Sequence, residues 1–197
     1  ESSFEPVLVG NFAAVRAAFH QPIKDVAHEI IITPKMSFGT GHHATTFLVM
    51  EQMQQIDFKD KHVIDFGTGT GVLAILAEKM GAASILAIDN DDWCISNAKE
   101  NMEANQAVKI ELKKAGSLLT HKKADIIVAN INLNVILDNL AAIAACCNGN
   151  GIVVFSGLLS GDEEKLQPAF ETHGILLEYI TEKDNWIALR THYTKTS

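Results

Sequence analysis

The run Val63-Ile64-Asp65-Phe66-Gly67-Thr68-Gly69-Thr70-Gly71-Val72-Leu73 constrains this chain more than any other stretch. An apolar strand breaks into three alternating glycines and passes at once into a helical pattern, the opening of a nucleotide-type cofactor site in an α/β sheet. The dinucleotide fingerprint is G-x-G-x-x-G, whose second glycine lets the backbone approach a pyrophosphate and whose third packs helix on strand. Here the third glycine arrives one residue early, and Asp65 stands two residues before the first. S-adenosylmethionine has no phosphate to cradle. It needs backbone room beside its methionine part, and carboxylates for its ribose and its cationic end. Gly67, Gly69 and Gly71 supply the room and Asp65 the charge, whereas the spacing disfavours an NAD dehydrogenase. A tight strand-to-helix turn without a ligand is the plain alternative.

From about residue 62 onward, strand-like and helix-like segments alternate, the pattern of a parallel sheet with covering helices. Strands are expected at His62 to Phe66, Ser84 to Asp89, Val108 to Lys113, Ala124 to Asn130, Gly151 to Ser156, Ile175 to Thr181 and Trp186 to His192. Val72, Leu76 and Met80 recur at four-residue spacing, so the segment after the glycines is a helix with one buried face, closed by Gly81. A second helix follows Asp91 with Ile95, Ala98 and Met102 on its stripe, and a third runs from about Leu133 to Cys147 with Ile136, Leu137, Leu140, Ile143 and Ala144 inward. Glu182-Lys183-Asp184-Asn185 is too short for a crossover helix, so the last two strands pair antiparallel. The expected fold is Rossmann-like α/β: seven strands, mostly parallel with an antiparallel last strand, and helices on both faces.

Upstream of residue 60 the chain differs in kind. Pro6, Pro22 and Pro34 punctuate it, and a single strand-like run, Glu29 to Thr33, precedes Pro34. The segment Phe38-Gly39-Thr40-Gly41-His42-His43-Ala44-Thr45-Thr46 reads as a second glycine-rich loop followed by a helix. Thr45 and Thr46 then lie near the helix start, where hydroxyls cap backbone donors or reach a cofactor carboxylate. Adjacent His42 and His43 cannot easily share one metal, and no ligand spacing supports them, so no metal site is expected. Phe38 and Trp186 read as core or rim aromatics, with a place bordering the adenine or the substrate entrance as the alternative for either.

Composition narrows the classes. With 197 residues, 47% hydrophobic and 20% charged, the chain suits one well-cored domain. A formal charge of -8 argues against a phosphate-tracking nucleic-acid surface. No apolar stretch reaches the roughly 20 residues needed to span a bilayer, and the first residues lack a signal-peptide pattern, so a cytoplasmic protein is expected. Cys94, Cys146 and Cys147 form no C-x-x-C pair and fit core positions in a reducing compartment. A monomer is the expected state.

Asp89 ends the second strand of the alternating region, on the carboxyl edge where open α/β sheets bind ligands, and its carboxylate suits two ribose hydroxyls. Asn130 emerges from the apolar run Ile126-Ile127-Val128-Ala129 on the same edge. This asparagine resembles the Asn/Asp-Pro-Pro-aromatic motif of amino-group methyltransferases, although the prolines and aromatic are absent. Carbonyl acceptors there orient a target nitrogen without consuming its lone pair. Presenting a neutral lysine at pH 7 costs about 4 to 5 kcal/mol, against ~1.4 for an α-amine. Desolvation beside a cationic sulfonium lowers the lysine value, and alignment of the reacting atoms then carries the rate.

With these parts together the chain resembles the PrmA family, methyltransferases of large-subunit ribosomal protein eleven and class I S-adenosylmethionine enzymes. The Phe38 to Thr46 segment looks like that family's F-G-T-G-x-H-x-T-T. Ser156-Gly157-Leu158-Leu159 resembles its S-G-I-L turn, and Asn185-Trp186-Ile187-Ala188-Leu189 its closing strand. The likeness covers most of residues 29 to 190 and implies cofactor contacts at Thr46, Gly67, Asp89 and Asn130, beside Asp65, Gly69 and Gly71 from the glycine motif. Departures are His42 for Thr, Ala44 for Pro, Thr68 for Cys and Asn132 for Leu.

The resemblance implies residues 1–28 as linker and approach, with the family's small N-terminal recognition domain outside this chain, and residues 29–197 as the catalytic domain. It implies N-methylation of lysine side-chain and N-terminal amines of ribosomal protein eleven, with Asn130 orienting the amine and without direct nucleic-acid or membrane contact. The alternatives are an amino methyltransferase with another target (a small amine, a protein glutamine or a nucleic-acid base) and a non-catalytic S-adenosylmethionine-binding module.

Overall fold

The computed structural model describes residues 4–34, 40–118 and 122–194, with residues 40–43 described in their backbone alone. Ten strands and five helices occur among them, in two sheets. The larger sheet contains β4 (His62–Phe66), β5 (Ser84–Asp89), β6 (Ile110–Lys114), β7 (Ala124–Asn130), β8 (Cys147–Leu159), β9 (Ile175–Lys183) and β10 (Trp186–Tyr193). Its order is β6-β5-β4-β7-β8-β10-β9, with β10 antiparallel to both neighbours and the other pairs parallel. This is the expected seven-stranded architecture.

The central strands β4 and β7 are buried on both faces because helices cover both. On one face α1 (Thr40–Met53), α2 (Val72–Lys79) and α3 (Asp92–Ala104) meet a core that includes Met50, Met53, Ile75 and Val128; on the other, α4 (Leu133–Cys146) and α5 (Asp162–Thr172) close over Ile127, Phe155 and Phe170.

The helix ends follow local chemistry. Gly81, at φ +95, closes α2: its amide donates to Glu78 O (3.0 Å) and that of Ala82 to Ala77 O (3.1 Å), a Schellman pair that uses orphan carbonyls. Asp91 caps α3 by accepting from the Trp93 and Cys94 amides. Asn132 caps α4 by accepting from Val135 N–H at 3.0 Å, which gives a physical role to a residue marked in the sequence only as a departure. Asp184 and Asn185 both adopt positive φ, as a type I′ turn requires, and join β9 to β10 in a two-residue hairpin.

Three expectations differ from the structure. First, the front of the chain holds more than the run before Pro34. β1 (Val7–Val9), β2 (Ala13–Ala17) and β3 (His28–Ile32) form a three-stranded sheet whose Val9, Val15, Ile30 and Ile32 join the α1–α2 core. Short strands around Gly10 and Pro22 gave too little periodicity to register. Second, the segment Phe38 to Thr46 is not all loop: α1 starts at Thr40, so Thr45 and Thr46 lie in its second turn and cannot cap its start. Helix packing against β8 and β10 outweighs the poor propensity of Gly41. Phe38, Gly39 and the side chains of His42 and His43 lie outside the described residues. Third, Leu137 is 37% exposed while Asn139 turns inward, its amide donating to Val135 O and its Oδ1 accepting from Leu118 N–H.

Candidate cofactor and amine site

The large sheet begins in its middle, at β4, runs outward through β5 and β6, and then crosses to β7 on the other side. The β4–β7 boundary is therefore a topological switch point, where the loops at the strands' carboxyl ends part and open a crevice. Gly67 follows β4 and Asn130 ends β7, so both flank that crevice.

Gly67, Gly69 and Gly71 adopt φ of +77, +55 and +80, left-handed values that glycine alone takes without cost. Two of them are also sterically closed. A Cβ on Gly67 would sit 2.2 Å from Ile131 Cγ2, and one on Gly71 would sit 3.3 Å from Ala98 Cβ; Gly69 faces open space. The loop is tied to the next strand by backbone: the amides of Gly67 and Thr68 both donate to Ile88 O, at 2.8 and 2.9 Å.

Asp89 completes that tie. Its Oδ2 accepts from the Gly69 amide at 2.8 Å and its Oδ1 from the Asp91 amide at 3.1 Å. The Cys94 thiol also bonds to this carboxylate, and with about four acceptor sites in all it fixes the loop and still has an acceptor for a diol. Asp65 lies beneath, 1% exposed. Its Oδ2 accepts from the Thr68 hydroxyl at 2.6 Å, while Oδ1 is buried with no hydrogen-bond partner among the described residues. Burial pushes this carboxyl from 3.8 up to about 7, with help from the charge of Asp89 and against hydrogen bonding from Thr68 and the Ala74 backbone. A buried acceptor without a donor is costly, and a cationic amine placed in the crevice would satisfy it.

Across the crevice, Asn130 is half-buried and its Nδ2 points to Thr45 Oγ1 at 3.5 Å, a weak contact that leaves the amide oxygen available. Thr45 and Thr46 are both buried, at 3% and 7%, and α1 brings the Thr45 hydroxyl to Asn130 from inside a helix. The turn after Asn130 is held tightly. Ile131 N–H donates to Ser156 O at 3.0 Å, and Gly157, at φ +79, lies where a Cβ would come within 2.2 Å of Ile131 O. Ile131 thus wedges between Gly67, which its side chain meets, and Gly157, which its backbone meets.

These features fit S-adenosylmethionine: two carboxylates, Asp65 and Asp89, lie beside a glycine loop whose backbone leaves room for a close ligand. The match to known proteins agrees. The family model "Ribosomal protein L11 methyltransferase (PrmA)" matches residues 1–194. The chain belongs to the ribosomal protein L11 methyltransferase family. A relative of that name from Porphyromonas gingivalis is 41% identical over 189 residues, covering 95% of this chain and 65% of the relative. One from Phocaeicola vulgatus is 38% identical, covering 95% and 67%. The chain therefore spans about two thirds of these relatives' length. A crystal structure titled ribosomal protein L11 methylase, from Lactobacillus delbrueckii subsp. bulgaricus, superposes with a TM-score of 0.89 at 30% identity, covering 97% of this chain and 100% of that one.

Within this family member the structure brings together Asp65, Gly67, Gly69, Gly71 and Asp89 on one side of the crevice and Asn130 with Thr45 on the other. Among the described residues no cluster of three His, Cys, Asp or Glu side chains could hold a metal ion, and no helix is long and apolar enough to cross a membrane. Sequence reasoning missed the wedge of Ile131 and a row of buried polar side chains on α3: Asn97 and Asn101 are 3% and 0% exposed, while the expected apolar positions Ile95 and Met102 are half-buried. The signal was present as asparagine at 97, 101 and 105, one every four residues.

Proposed function

We propose that this chain is the S-adenosylmethionine-binding catalytic domain of a protein N-methyltransferase acting on lysine side-chain and N-terminal amines of ribosomal protein L11. The observation that carries this reading is the opposition, across one switch point in a member of this family, of a carboxylate-lined glycine loop and an asparagine carbonyl. When bound, S-adenosylmethionine supplies an electrophilic methyl group on a cationic sulfur. Asp65 and Asp89 hold its amine and ribose, and the glycine backbone allows close approach. Thr46, buried next to Thr45 in α1, is the candidate for the carboxylate end. Asn130 accepts hydrogen bonds from the incoming amine and aims its lone pair at the methyl carbon. Alignment of nucleophile and carbon is worth more here than proton removal, because the amine leaves its proton to water before it enters the crevice. A ribosomal substrate also implies action in the cytoplasm. We keep residues 1–28 as an approach segment and 29–197 as the catalytic unit, with the three-stranded sheet bridging the two.

The test incubates the protein with labelled S-adenosylmethionine and a mixture of ribosomal proteins, and locates the label by mass spectrometry. Methyl groups on lysine and N-terminal amines of L11 are expected. Label on another protein, or on RNA alone, would overturn the substrate.

A further inference from the structure

The asparagine row on α3 does something unusual: it imitates a β-strand. Successive asparagines four residues apart on a helix rise about 6 Å, close to the roughly 6.6 Å between alternate residues of a strand. The outer edge of β3 uses that match. Ile31 N–H donates to Asn105 Oδ1 at 2.9 Å, and Asn105 Nδ2 donates back to Ile31 O at 2.6 Å. Two residues on, Thr33 N–H donates to Asn101 Oδ1 at 2.8 Å, and Asn97 Nδ2 donates to Thr33 O at 3.2 Å. The small sheet would otherwise end at β3 with these groups unpaired, and helix side chains pair them instead.

Asn101 differs from its neighbours in the row. Its Nδ2 donates to Asn97 Oδ1 at 2.8 Å and also to Thr70 O, at 2.8 Å, inside the glycine loop. Both amide hydrogens and the carbonyl oxygen are used, in a side chain with no exposed surface. Thr70 lies between Gly69 and Gly71, both at positive φ, and its carbonyl is the point at which the loop's backbone meets a side chain of α3. We infer that Asn101 is a positioning residue for the cofactor site, setting the glycine loop through Thr70 O while holding β3 through Thr33 N–H. Asn105 holds β3 and the Asn101 carbonyl of its own helix, with no bond to the glycine loop among the described residues. Loop and strand therefore share one buried amide, and any ligand that orders the loop also orders β3, a reciprocal coupling.

This inference rests on the glycine loop binding S-adenosylmethionine, and the test separates the two. S-adenosylhomocysteine binding is measured by calorimetry for the parent chain, Asn101→Ala, Asn101→Asp and Asn105→Ala, with melting temperatures alongside. Asn101→Asp keeps the shape and the acceptor for Thr33 but loses both donors. The Asn101 variants should bind about tenfold more weakly, about 1.4 kcal/mol, and Asn105→Ala within twofold of the parent at a similar loss of melting temperature. In turnover the Asn101 effect should fall on the KM for S-adenosylmethionine, with kcat kept within twofold.

Should neither Asn101 variant fold, amide exchange on the parent chain decides: saturating S-adenosylhomocysteine should slow the Thr33 and Ile31 amides relative to those of β1. Equal binding losses in Asn101 and Asn105 variants, or no protection at Thr33, would overturn the inference while leaving the cofactor reading in place. No binding by the parent chain would overturn both.

Discussion

The glycine loop and the Asn130 turn face each other across one switch point and hold their shapes in opposite ways. The loop works through its backbone: three left-handed glycines, two amides on Ile88 O and one on Asp89. The turn presents its chemistry through side chains, with the Asn130 amide beside Thr45 and Asn132 capping the next helix, and uses backbone only where Ile131 is held against Ser156 and Gly157. A backbone site couples ligand binding to fold, because the atoms that touch the ligand are the atoms that make the turn. A side-chain site separates them, so chemistry on the Asn130 side should be removable with the scaffold intact.

The largest effect should come where the turn does depend on backbone. In Gly157→Ala the new Cβ meets Ile131 O at 2.2 Å and its carbonyl carbon at 2.7 Å, at φ +79. Backbone cannot yield as a side-chain tip does, so about 3 kcal/mol or more of stability should be lost. Gly69→Ala has the same handedness problem but open space, and should lose only about 1 kcal/mol. Urea denaturation of both variants checks this; equal losses would mean that the close approach to Ile131 is not what fixes the turn.

Next in size is Asn130→Ala, which should lower the methyl-transfer rate about 100-fold, roughly 2.7 kcal/mol of transition-state alignment. Affinity for S-adenosylhomocysteine should stay within about threefold. Asn130 touches Thr45 only at 3.5 Å, so little of the fold depends on it. Parallel loss of binding and rate would erase the contrast between the two sides and make Asn130 part of the cofactor pocket.

The two sides also differed in how plainly the sequence displayed them. The strand, glycines and helix from Val63 to Leu73 are contiguous, and alternation of apolar strands with amphipathic helices is a local signal, so the strands of the large sheet and the places of Asp65, Asp89 and Asn130 at their ends follow from short-range pattern. The small sheet did not, because its strands are three to five residues long and its edge is completed by α3, some seventy residues away. Asparagine reads as a helix-breaker or cap in isolation, so a buried row of it looks like a polar face. Thr45 and Thr46 read as the start of a helix rather than its second turn for a related reason: glycine at 39 and 41 outweighs, on local grounds, the first turn that tertiary packing makes.

On the glycine side, Asp89→Ala should weaken S-adenosylhomocysteine binding some 20- to 30-fold, about 2 kcal/mol. The change removes the ribose acceptor and frees the Gly69 and Asp91 amides together, and both are near solvent, so the melting temperature should fall only by a few degrees. Unchanged affinity would take Asp89 out of the ribose role and leave it as a loop tie.

The smallest effect tests whether Asp65 links the two functions of the backbone site, ligand and fold. Its carboxyl lies near 7 in the folded chain against 3.8 ordinarily, chiefly because it is buried. A raised acid favours the folded state when protonated: that contribution is fully present below the ordinary value and is lost as pH rises through about 7. A cationic amine beside Oδ1 needs the carboxylate, so affinity should move the other way. Between pH 6 and pH 8 S-adenosylhomocysteine binding should tighten about tenfold, one proton released at a site half-titrated near 7. The stability of the ligand-free chain should decline over the same window. Asp65→Asn keeps the Thr68 contact but cannot ionise, so it should bind weakly at both pH values and flatten both trends. Because other groups titrate in this range, the quantity to compare is the difference between parent and variant, measured by calorimetry and by denaturation. A parent whose affinity is flat from pH 6 to 8 would mean that Asp65 stays neutral with ligand bound, serving the fold of the loop alone.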